Sequence, residues 1–215
     1  KSLNIFFGKT NCKYIPLDKN LIDKIWIRKT NAFKNKFYSM PLNSVGESYK
    51  LKVKKIVSKL KKSGADFQFI TASENNAWLM NIRGNDSQYT PIPHSHMLID
   101  KKKNIKLFCD LKKISTSFKK RFNKIEFINI ENTDEILSKI YRKKINIDEN
   151  TCSIYYENMI SKNNKILNRQ DPIYSLKSIK TKKEIENIKK AHIYDGAALT
   201  KYLFWLKKNF NKKKI

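Results

Sequence analysis

The residues of this sequence that could take part in chemistry are concentrated between Trp78 and Tyr89. Arg83 and Gly84 follow an apolar segment, and Asp86 lies in the polar loop behind them. An arginine fork can bind an anionic group on a partner, or it can pair with a carboxylate inside the protein. The sequence leaves both roles open. Because loops rich in special residues commonly carry function, we take Arg83, Gly84 and Asp86 as candidates for substrate access or an interface.

Two histidine-containing segments are candidates for catalysis. His94 and His96 could offer two metal-binding nitrogens, but no Asp or Glu cluster accompanies them, and a catalytic metal site needs further ligands. His192 and Asp195 could form a hydrogen-bonded pair on a helix, but the sequence supplies no third member for a general base. We therefore predict no catalytic residue and no metal ligand in this chain.

Glycine-rich phosphate-binding patterns and the Gly-x-Ser-x-Gly nucleophile motif are both missing from the sequence. The formal net charge of +27 comes mostly from Lys, whereas side chains that read base edges are often Arg. We therefore expect no specific nucleic-acid partner. No apolar run is long enough for a membrane span. Cys12, Cys109 and Cys152 form no metal-binding spacing, which fits a reducing cytoplasm.

The elements around this stretch are predicted from periodicity and capping signals. A helical apolar stripe beside a Lys-covered face ends at Ser63 and Gly64, the stripe being formed by Tyr49, Val53, Ile56, Val57 and Leu60. A strand is expected over 65–72, and Ser73 is expected to cap a short helix that contains Trp78. Helix, glycine stop and strand in this order are typical of an α/β protein.

The following segments continue the same alternation. Strands are predicted over 97–99, 105–109, 124–130 and 145–148, with a hairpin turn at 100–104. Helices are predicted from Asp134 through Tyr141 and over 153–161. The pair Asp171-Pro172 is expected to interrupt the chain. Thr181 and Glu184 then have capping-box form at the start of a long amphipathic helix.

The first 45 residues do not read as a complete domain. Asp18 is expected to cap a short helix, and residues 28–44 show neither helical nor strand periodicity. The latter segment is predicted to be a linker that ends at Gly46.

Residues Gly64 to Pro91 carry a family resemblance. They read G-A-D-F-Q-F-I-T-A-S-E-N-N-A-W-L-M-N-I-R-G-N-D-S-Q-Y-T-P. This resembles the G-A-D…T-A-L-D-E-I-A-W-L-x-N-x-R-G-x-D-x-x-x-N-P pattern in the middle domain of the three-domain Xaa-Pro aminopeptidases. Asn20 to Trp26 is similar to the end of their first domain, and Asp171 to Leu206 to the start of their catalytic domain. The sequence departs from the pattern at Asn75-Asn76 and at Thr90.

The resemblance implies an α/β fold of the creatinase N-terminal type, a mixed sheet flanked by helices. It divides the chain into the end of a first domain (1–45), a middle domain (46–169) and the start of a pita-bread catalytic domain (170–215). It also implies a cytoplasmic, homodimeric metallo-aminopeptidase that acts on peptides with proline in second position. In this family two divalent metal ions, usually manganese, activate hydroxide and polarise the peptide carbonyl.

The family's metal ligands, two Asp, one His and two Glu, are expected downstream of the last helix of this chain. The chain is therefore expected to be inactive alone and to shape substrate access and dimer contacts. Two alternatives remain open. One is a catalytically inactive structural or regulatory relative, and the other is a basic nucleic-acid-binding protein.

Overall fold

The computed structural model describes residues 2–13, 15, 17, 20–22, 25–26 and 35–210. The chain divides into two compact units, Lys1–Ala32 and Phe33–Ile215. In the first unit the structure describes one short helix, α1 (Ser2–Phe7). Asp18, the expected cap of a second helix, lies outside the described residues.

The second unit is an α/β fold, as expected, built from strands and helices in mixed order. Its strands are β1 (Tyr38–Ser39), β2 (Phe67–Ile70), β3 (Ile82–Arg83), β4 (Ser95–Asp100), β5 (Ile105–Cys109), β6 (Ile125–Asn129), β7 (Lys144–Ile147) and β8 (Lys165–Asn168). Its helices are α2 (Leu42–Val45), α3 (Tyr49–Lys62), α4 (Ser73–Met80), α5 (Thr116–Arg121), α6 (Thr133–Ser138), α7 (Ile154–Ser161), α8 (Pro172–Ser178) and α9 (Lys182–Asn209).

The main sheet has six strands in the order β6-β5-β4-β2-β7-β8. The β4–β5 hairpin is antiparallel, as is the pairing of β4 with β2, whereas β5 with β6, β2 with β7 and β7 with β8 are parallel. The sheet is therefore mixed, as the family resemblance implied. A separate antiparallel ribbon pairs β1 with β3, placing Tyr38 opposite Arg83.

Helices cover both faces of the main sheet. On one face, buried side chains of α3, α4, α5 and α8 pack against β2, β4 and β5, with Ile56 and Leu79 fully buried. On the other face, α6 and α7 contribute Leu137 and Ile160 to a second apolar cluster. Burial on both faces makes the strands almost continuously apolar, which is why residues 97–99 and 105–109 were recognisable as strands.

Helix α3 shows how local sequence fixes its own boundaries. The Ser48 hydroxyl accepts a hydrogen bond from the amide of Leu51, which caps the helix start. Gly64, just after the end, has a φ of +72°, a conformation that favours glycine. Val53 and Val57 are buried along the predicted stripe. The helix prediction is confirmed.

Several predictions need correction. Ser73 does not cap α4, because Ala72 is the N-cap residue and the Ser73 hydroxyl instead bonds to the Ser95 backbone. The described part of the supposed linker contains β1 and α2, and Phe37 is buried in the core. A tertiary partner rather than local periodicity orders this segment, since the amide of Phe37 donates to the Lys113 carbonyl.

Two helix predictions near the end of the sheet also change. Helix α6 ends at Ser138, so Tyr141 lies beyond it. Asp171-Pro172 follows a short break after β8 and starts α8, with the Asp171 carboxylate capping the Ile173 amide and Pro172 at the first helical position. Proline is favoured there because the amide it lacks has no partner within the helix. The capping box of Thr181 and Glu184 is confirmed at the start of α9.

Candidate functional site: a basic groove beside the Arg83 loop

The predicted functional stretch forms the turn that joins α4 to the short β1–β3 ribbon. Leu79 is fully buried and Trp78 packs partly against the same core, as expected for the apolar part of the stretch. Asn81 adopts a left-handed conformation with φ of 55°, which ends the helix and sends the chain into β3. Asparagine tolerates this conformation better than most residues. After this turn the chain passes through Arg83 in β3 and continues into the loop from 84 to 94.

Arg83 lies on a groove of about 440 Å³ formed by α2, α3, α4, β3, α8 and α9. We call it the basic groove. It is lined by Met40, Ser44, Val45, Lys52, Trp78, Asn81, Arg83, Lys177, Lys180, Glu184, Asn187, Ile188 and Ala191. Its volume falls within the range of small-molecule sites.

Lys52 forms the floor of the groove and is only 1% exposed. Its Nζ donates to the Trp78 carbonyl at 2.9 Å and to Oδ1 of Asn81 at 2.7 Å, and lies 3.9 Å from the centre of a Trp78 ring. The Asn81 amide is held in turn by the Glu47 carbonyl at 2.8 Å. Burial lowers the pKa of Lys52 to about 8; the charges of Glu184 and Glu47 act in the opposite direction, and that of Arg83 adds a smaller lowering effect. These partners fix the ammonium without neutralising it.

Arg83 is half-buried beside Lys52. Its Nη1 donates to the carbonyls of Ile82 at 2.8 Å and Ala77 at 3.3 Å. Burial lowers the pKa of Arg83. Across the described residues, no ion pair joins Arg83 to a carboxylate. The internal partners are therefore main-chain carbonyls rather than the internal carboxylate considered from the sequence.

The start of α9 and the end of α8 close the groove. Lys177 donates to Oδ1 of Asn75 at 2.6 Å, and Lys180 donates to the Lys177 carbonyl. Among the described residues that line the groove, Glu184 is the one carboxylate, and it is engaged in the capping box, where it accepts from the Thr181 amide at 2.8 Å. The groove thus holds four formal positive charges and one negative charge from its lining side chains.

Close packing holds α9 against α2 at the rim of the groove. The side-chain amide of Asn187 donates to the carbonyls of Asn43 and Ser44 at 3.1 and 3.2 Å. Gly46 has φ of +70°, and a Cβ at this position would lie 2.2 Å from Oγ1 of Thr181. A side chain at Gly46 would therefore push the start of α9 away from α2.

Gly84 and Asp86, the other two predicted residues, make internal contacts. A Cβ on Gly84 would lie 2.9 Å from Cα of Pro93 and 3.1 Å from a ring carbon of Phe37. Asp86 forms an ion pair with Lys113 and accepts a hydrogen bond from the His94 amide at 2.7 Å. The structure therefore brings Arg83 to the basic groove and uses Gly84 and Asp86 to fix the loop from 84 to 94.

The segment with His94 and His96 lacks the surroundings of a metal site within the described residues. His96 lies among the rings of Phe69, Tyr156 and His94, and its Nδ1 is buried with no hydrogen-bond partner among the described residues. Burial lowers the pKa of His96 to about 4, with a further contribution from His94. Within the described part of the chain, no three His, Cys, Asp or Glu side chains are grouped so as to hold a metal ion.

His192 and Asp195 are both exposed on α9. No helix among the described residues is long and apolar enough to cross a membrane.

Sequence reasoning missed Lys52, since the Lys residues of α3 were all assigned to the exposed face. A signal was present. Lys52 follows Tyr49 by one helical turn and precedes Ile56 by another, so it belongs on the edge of the apolar stripe. Lys177 and Lys180 belong to the segment that resembles the start of the family's catalytic domain, but the sequence did not place them at this groove. Their approach to it depends on the packing of α8 and α9 against other helices.

Known proteins resemble this chain over almost its whole length. Residues 28–184 match the family model described as the creatinase/prolidase N-terminal domain. Xaa-Pro aminopeptidase 1 of Dictyostelium discoideum is 31% identical over 224 residues, which cover 99% of this chain and 34% of that protein. Aminopeptidase P1 of Arabidopsis thaliana is 29% identical, covering 93% of this chain and 35% of the relative. The chain thus spans about a third of the length of these relatives.

A solved structure supports the fold. The X-prolyl aminopeptidase of Caenorhabditis elegans, described as a cytosolic enzyme with a di-nuclear active site, superimposes with a TM-score of 0.80. The match covers 93% of this chain and 34% of that enzyme, at 22% sequence identity. At this identity the match supports the fold. Together with the family-model match, which includes the Arg83 loop and most of the residues that form the groove, it shows that the chain belongs to the creatinase/prolidase N-terminal domain family.

Proposed function

We propose that this chain is the non-catalytic part of a metallo-aminopeptidase that releases the N-terminal residue from peptides with proline in second position. The observation that carries the proposal is the similarity of nearly the whole chain to proteins named Xaa-Pro aminopeptidases, from a slime mould, a plant and a fly. These matches run through all three segments in which the sequence resembles that family, rather than through the family domain alone.

The proposed activity requires metal ions that the described residues do not suit. The Caenorhabditis enzyme is described as having a di-nuclear active site, whereas the described residues here contain no cluster of suitable donor side chains. We assign no catalytic step to them. The proposed enzyme uses two divalent ions, manganese in the first instance, held by residues outside this chain.

The proposed role of the chain is to shape substrate access and to contribute to a homodimer. Tyr89, at the tip of the loop that Gly84 and Asp86 fix, is 97% exposed and has φ of 62°. An exposed aromatic side chain held in a rare backbone conformation is typical of a contact residue. The loop therefore offers an exposed contact surface for a wall of the active site or for a partner subunit, within a cytoplasmic enzyme.

The activity is tested on the natural protein that carries this chain. The substrate is a short peptide with proline in second position, and the matched control is the same peptide with alanine there. We expect cleavage of the proline peptide only, loss of cleavage with a chelator, and recovery with manganese. No cleavage in any metal would favour the inactive relative, and cleavage that survives the chelator would exclude the proposed metallopeptidase.

The role of the loop is tested separately by changing Tyr89 to Ser in the same protein. We expect a weaker dimer by sedimentation equilibrium, or a several-fold change in KM for longer peptides, with an unchanged thermal midpoint. A wild-type dimer and unchanged kinetics for every peptide length would contradict the proposed role without affecting the proposed activity.

A further inference from the structure

We propose that the basic groove is a binding site for a small organic acid, a carboxylate joined to an apolar body. This site does not depend on the proposed peptidase activity. It rests on the contacts of the cations in the groove, on the shape of its walls and on the position of its single carboxylate.

The first observation concerns the hydrogen-bond partners of the cations. Lys52, Arg83, Lys177 and Lys180 all line the groove, and their hydrogen bonds within the described residues go to main-chain carbonyls or to an asparagine side chain. Burying a cation is costly unless an opposite charge compensates it. Carboxylates lie near two of these cations: the charges of Glu184 and Glu47 act to raise the pKa of Lys52, and the charge of Lys177 acts to lower that of Asp171. The described lining still carries more positive than negative charge, so an anion that enters the groove gains from a net positive field.

The second observation is that the groove is closely built around Lys52. Lys52 is 1% exposed, its hydrogen bonds to Trp78 and Asn81 are 2.9 and 2.7 Å long, and Asn81 is itself fixed by the Glu47 carbonyl. A surface lysine would lose conformational entropy on binding an anion, whereas Lys52 has lost it on folding. An ammonium fixed in this way is pre-organised for a ligand.

The third observation is the apolar part of the wall. Trp78, Met40, Val45 and Ile188 line the same groove as the cations. An inorganic anion would gain nothing from these side chains, whereas the apolar body of an organic acid would remove them from water. The volume of about 440 Å³ accommodates such a molecule.

Glu184 provides the sharpest test of this site. It is the one carboxylate that the structure describes in the lining and opposes an anionic ligand, but its structural role is the capping box with Thr181. Glutamine can replace glutamate in a capping box. The substitution Glu184→Gln therefore removes the negative charge while keeping the helix cap, and we expect it to tighten binding of the acid several-fold.

The experiment measures binding of N-acetyl-leucine to the chain by titration calorimetry and by the indole resonance of Trp78. Neutral N-acetyl-leucinamide and acetate are the two matched ligands, one without the charge and one without the apolar body. We expect binding of N-acetyl-leucine at least ten-fold tighter than that of either matched ligand, because charge and apolar contact contribute together. Trp78 should respond, whereas the indole of Trp205, exposed on α9, should not.

Variants of the chain assign the binding to the groove. Arg83→Gln should weaken binding of N-acetyl-leucine about ten-fold, and Lys180→Gln, at an exposed position, about two-fold. Lys54→Gln is the matched control, since Lys54 is exposed on α3 outside the groove.

The proposal is overturned if N-acetyl-leucine and its amide bind equally, if acetate binds as tightly as the full acid, or if Glu184→Gln weakens binding. An Arg83→Gln variant that binds like the wild type would overturn it as well. None of these results bears on cleavage of proline peptides.

Discussion

Arg83 and Asp86 lie three residues apart, at the end of β3 and in the loop that follows it, but their charges have different partners. The carboxylate of Asp86 is paired with Lys113, and both side chains are largely buried, at 7% and 12% exposure. Arg83 is half-buried beside a second cation and bonds to neutral carbonyls. A charge that is neutralised inside the protein stabilises structure, whereas a fixed charge without a counter-ion remains available to a ligand. The comparison predicts that Asp86 matters for stability and Arg83 for binding.

The largest effect is expected for Asp86→Ala. The substitution leaves Lys113 mostly buried without its partner and removes the acceptor of the His94 amide. Breaking a buried ion pair costs about 3 kcal/mol. Urea unfolding followed by circular dichroism should show this loss. The matched control changes both members, Asp86→Leu with Lys113→Met, and should recover most of the stability. If the single variant loses less than about 1 kcal/mol of unfolding free energy, Asp86 contributes as little to stability as we expect of Arg83, and the contrast between the two residues fails.

Gly84→Ala tests whether the loop between these charges is closely packed. The added Cβ would lie 2.9 Å from Cα of Pro93, a main-chain atom that cannot easily move aside. Overpacking of this kind costs about 2 kcal/mol, measured by the same unfolding experiment. Gly196→Ala is the control, because nothing lies within 4 Å of its Cβ position in α9. It should stabilise the chain by about 0.5–1 kcal/mol. Equal effects at the two glycines would contradict the packing argument.

His96 extends the comparison to an ionisable side chain whose Nδ1 is buried and has no hydrogen-bond partner in the part of the chain that the structure describes. Its pKa falls from 6.5 to about 4 on folding. Between these values the unfolded chain binds more protons than the folded one, so the free energy of unfolding should decrease as the pH falls from 6.5 to 4. The expected loss is about 2 kcal/mol, less than the full shift because the ring is not completely buried.

The substitution His96→Phe should remove this part of the pH dependence, since Phe suits the surrounding rings of Phe69 and Tyr156. Unfolding free energies at pH 4.5 and pH 7 give the difference directly. His192→Gln on the exposed face of α9 is the control and should leave the slope unchanged. An identical slope in His96→Phe and the wild type would show that other groups cause the acid sensitivity.

The smallest effect on stability is expected for Arg83→Gln. The hydrogen bonds of Arg83 to carbonyls are lost in part, but unfavourable positive charge next to Lys52 is removed at the same time. We expect the free energy of unfolding to change by less than about 1 kcal/mol. A loss as large as that of Asp86→Ala would show that Arg83 is mainly structural, and the comparison between the two residues would fail.

Much of the fold was predictable because its signals are local. The stripe of α3, the glycine after it, the β4–β5 hairpin and the capping box of α9 were all recognised from neighbouring residues. The errors have a common physical origin. The segment around Phe37 is ordered by a hydrogen bond to Lys113, a residue distant in sequence. The hydroxyl of Ser73 bonds to the backbone of Ser95 instead of capping its own helix. The division of the chain at residues 45/46 and 169/170 stays a prediction.

The candidate site was predictable only at Arg83, whose neighbours Trp78 and Gly84 also carry the family resemblance. The sequence predicted that the chain forms a mixed α/β sheet of the creatinase N-terminal type, and it marked the Arg83 loop as its most unusual part. It did not distinguish the charge of Asp86, neutralised by Lys113, from that of Arg83.

That distinction was decided by tertiary structure. The pairs Asp86 with Lys113 and Lys52 with Asn81 join residues far apart in the sequence. Helices α8 and α9 close the groove only because the fold packs them beside α2 and α4. Periodicity and capping depend on neighbours within a few turns, so the sequence shows them directly. The counter-ion of a buried charge depends on which distant segments the fold brings together.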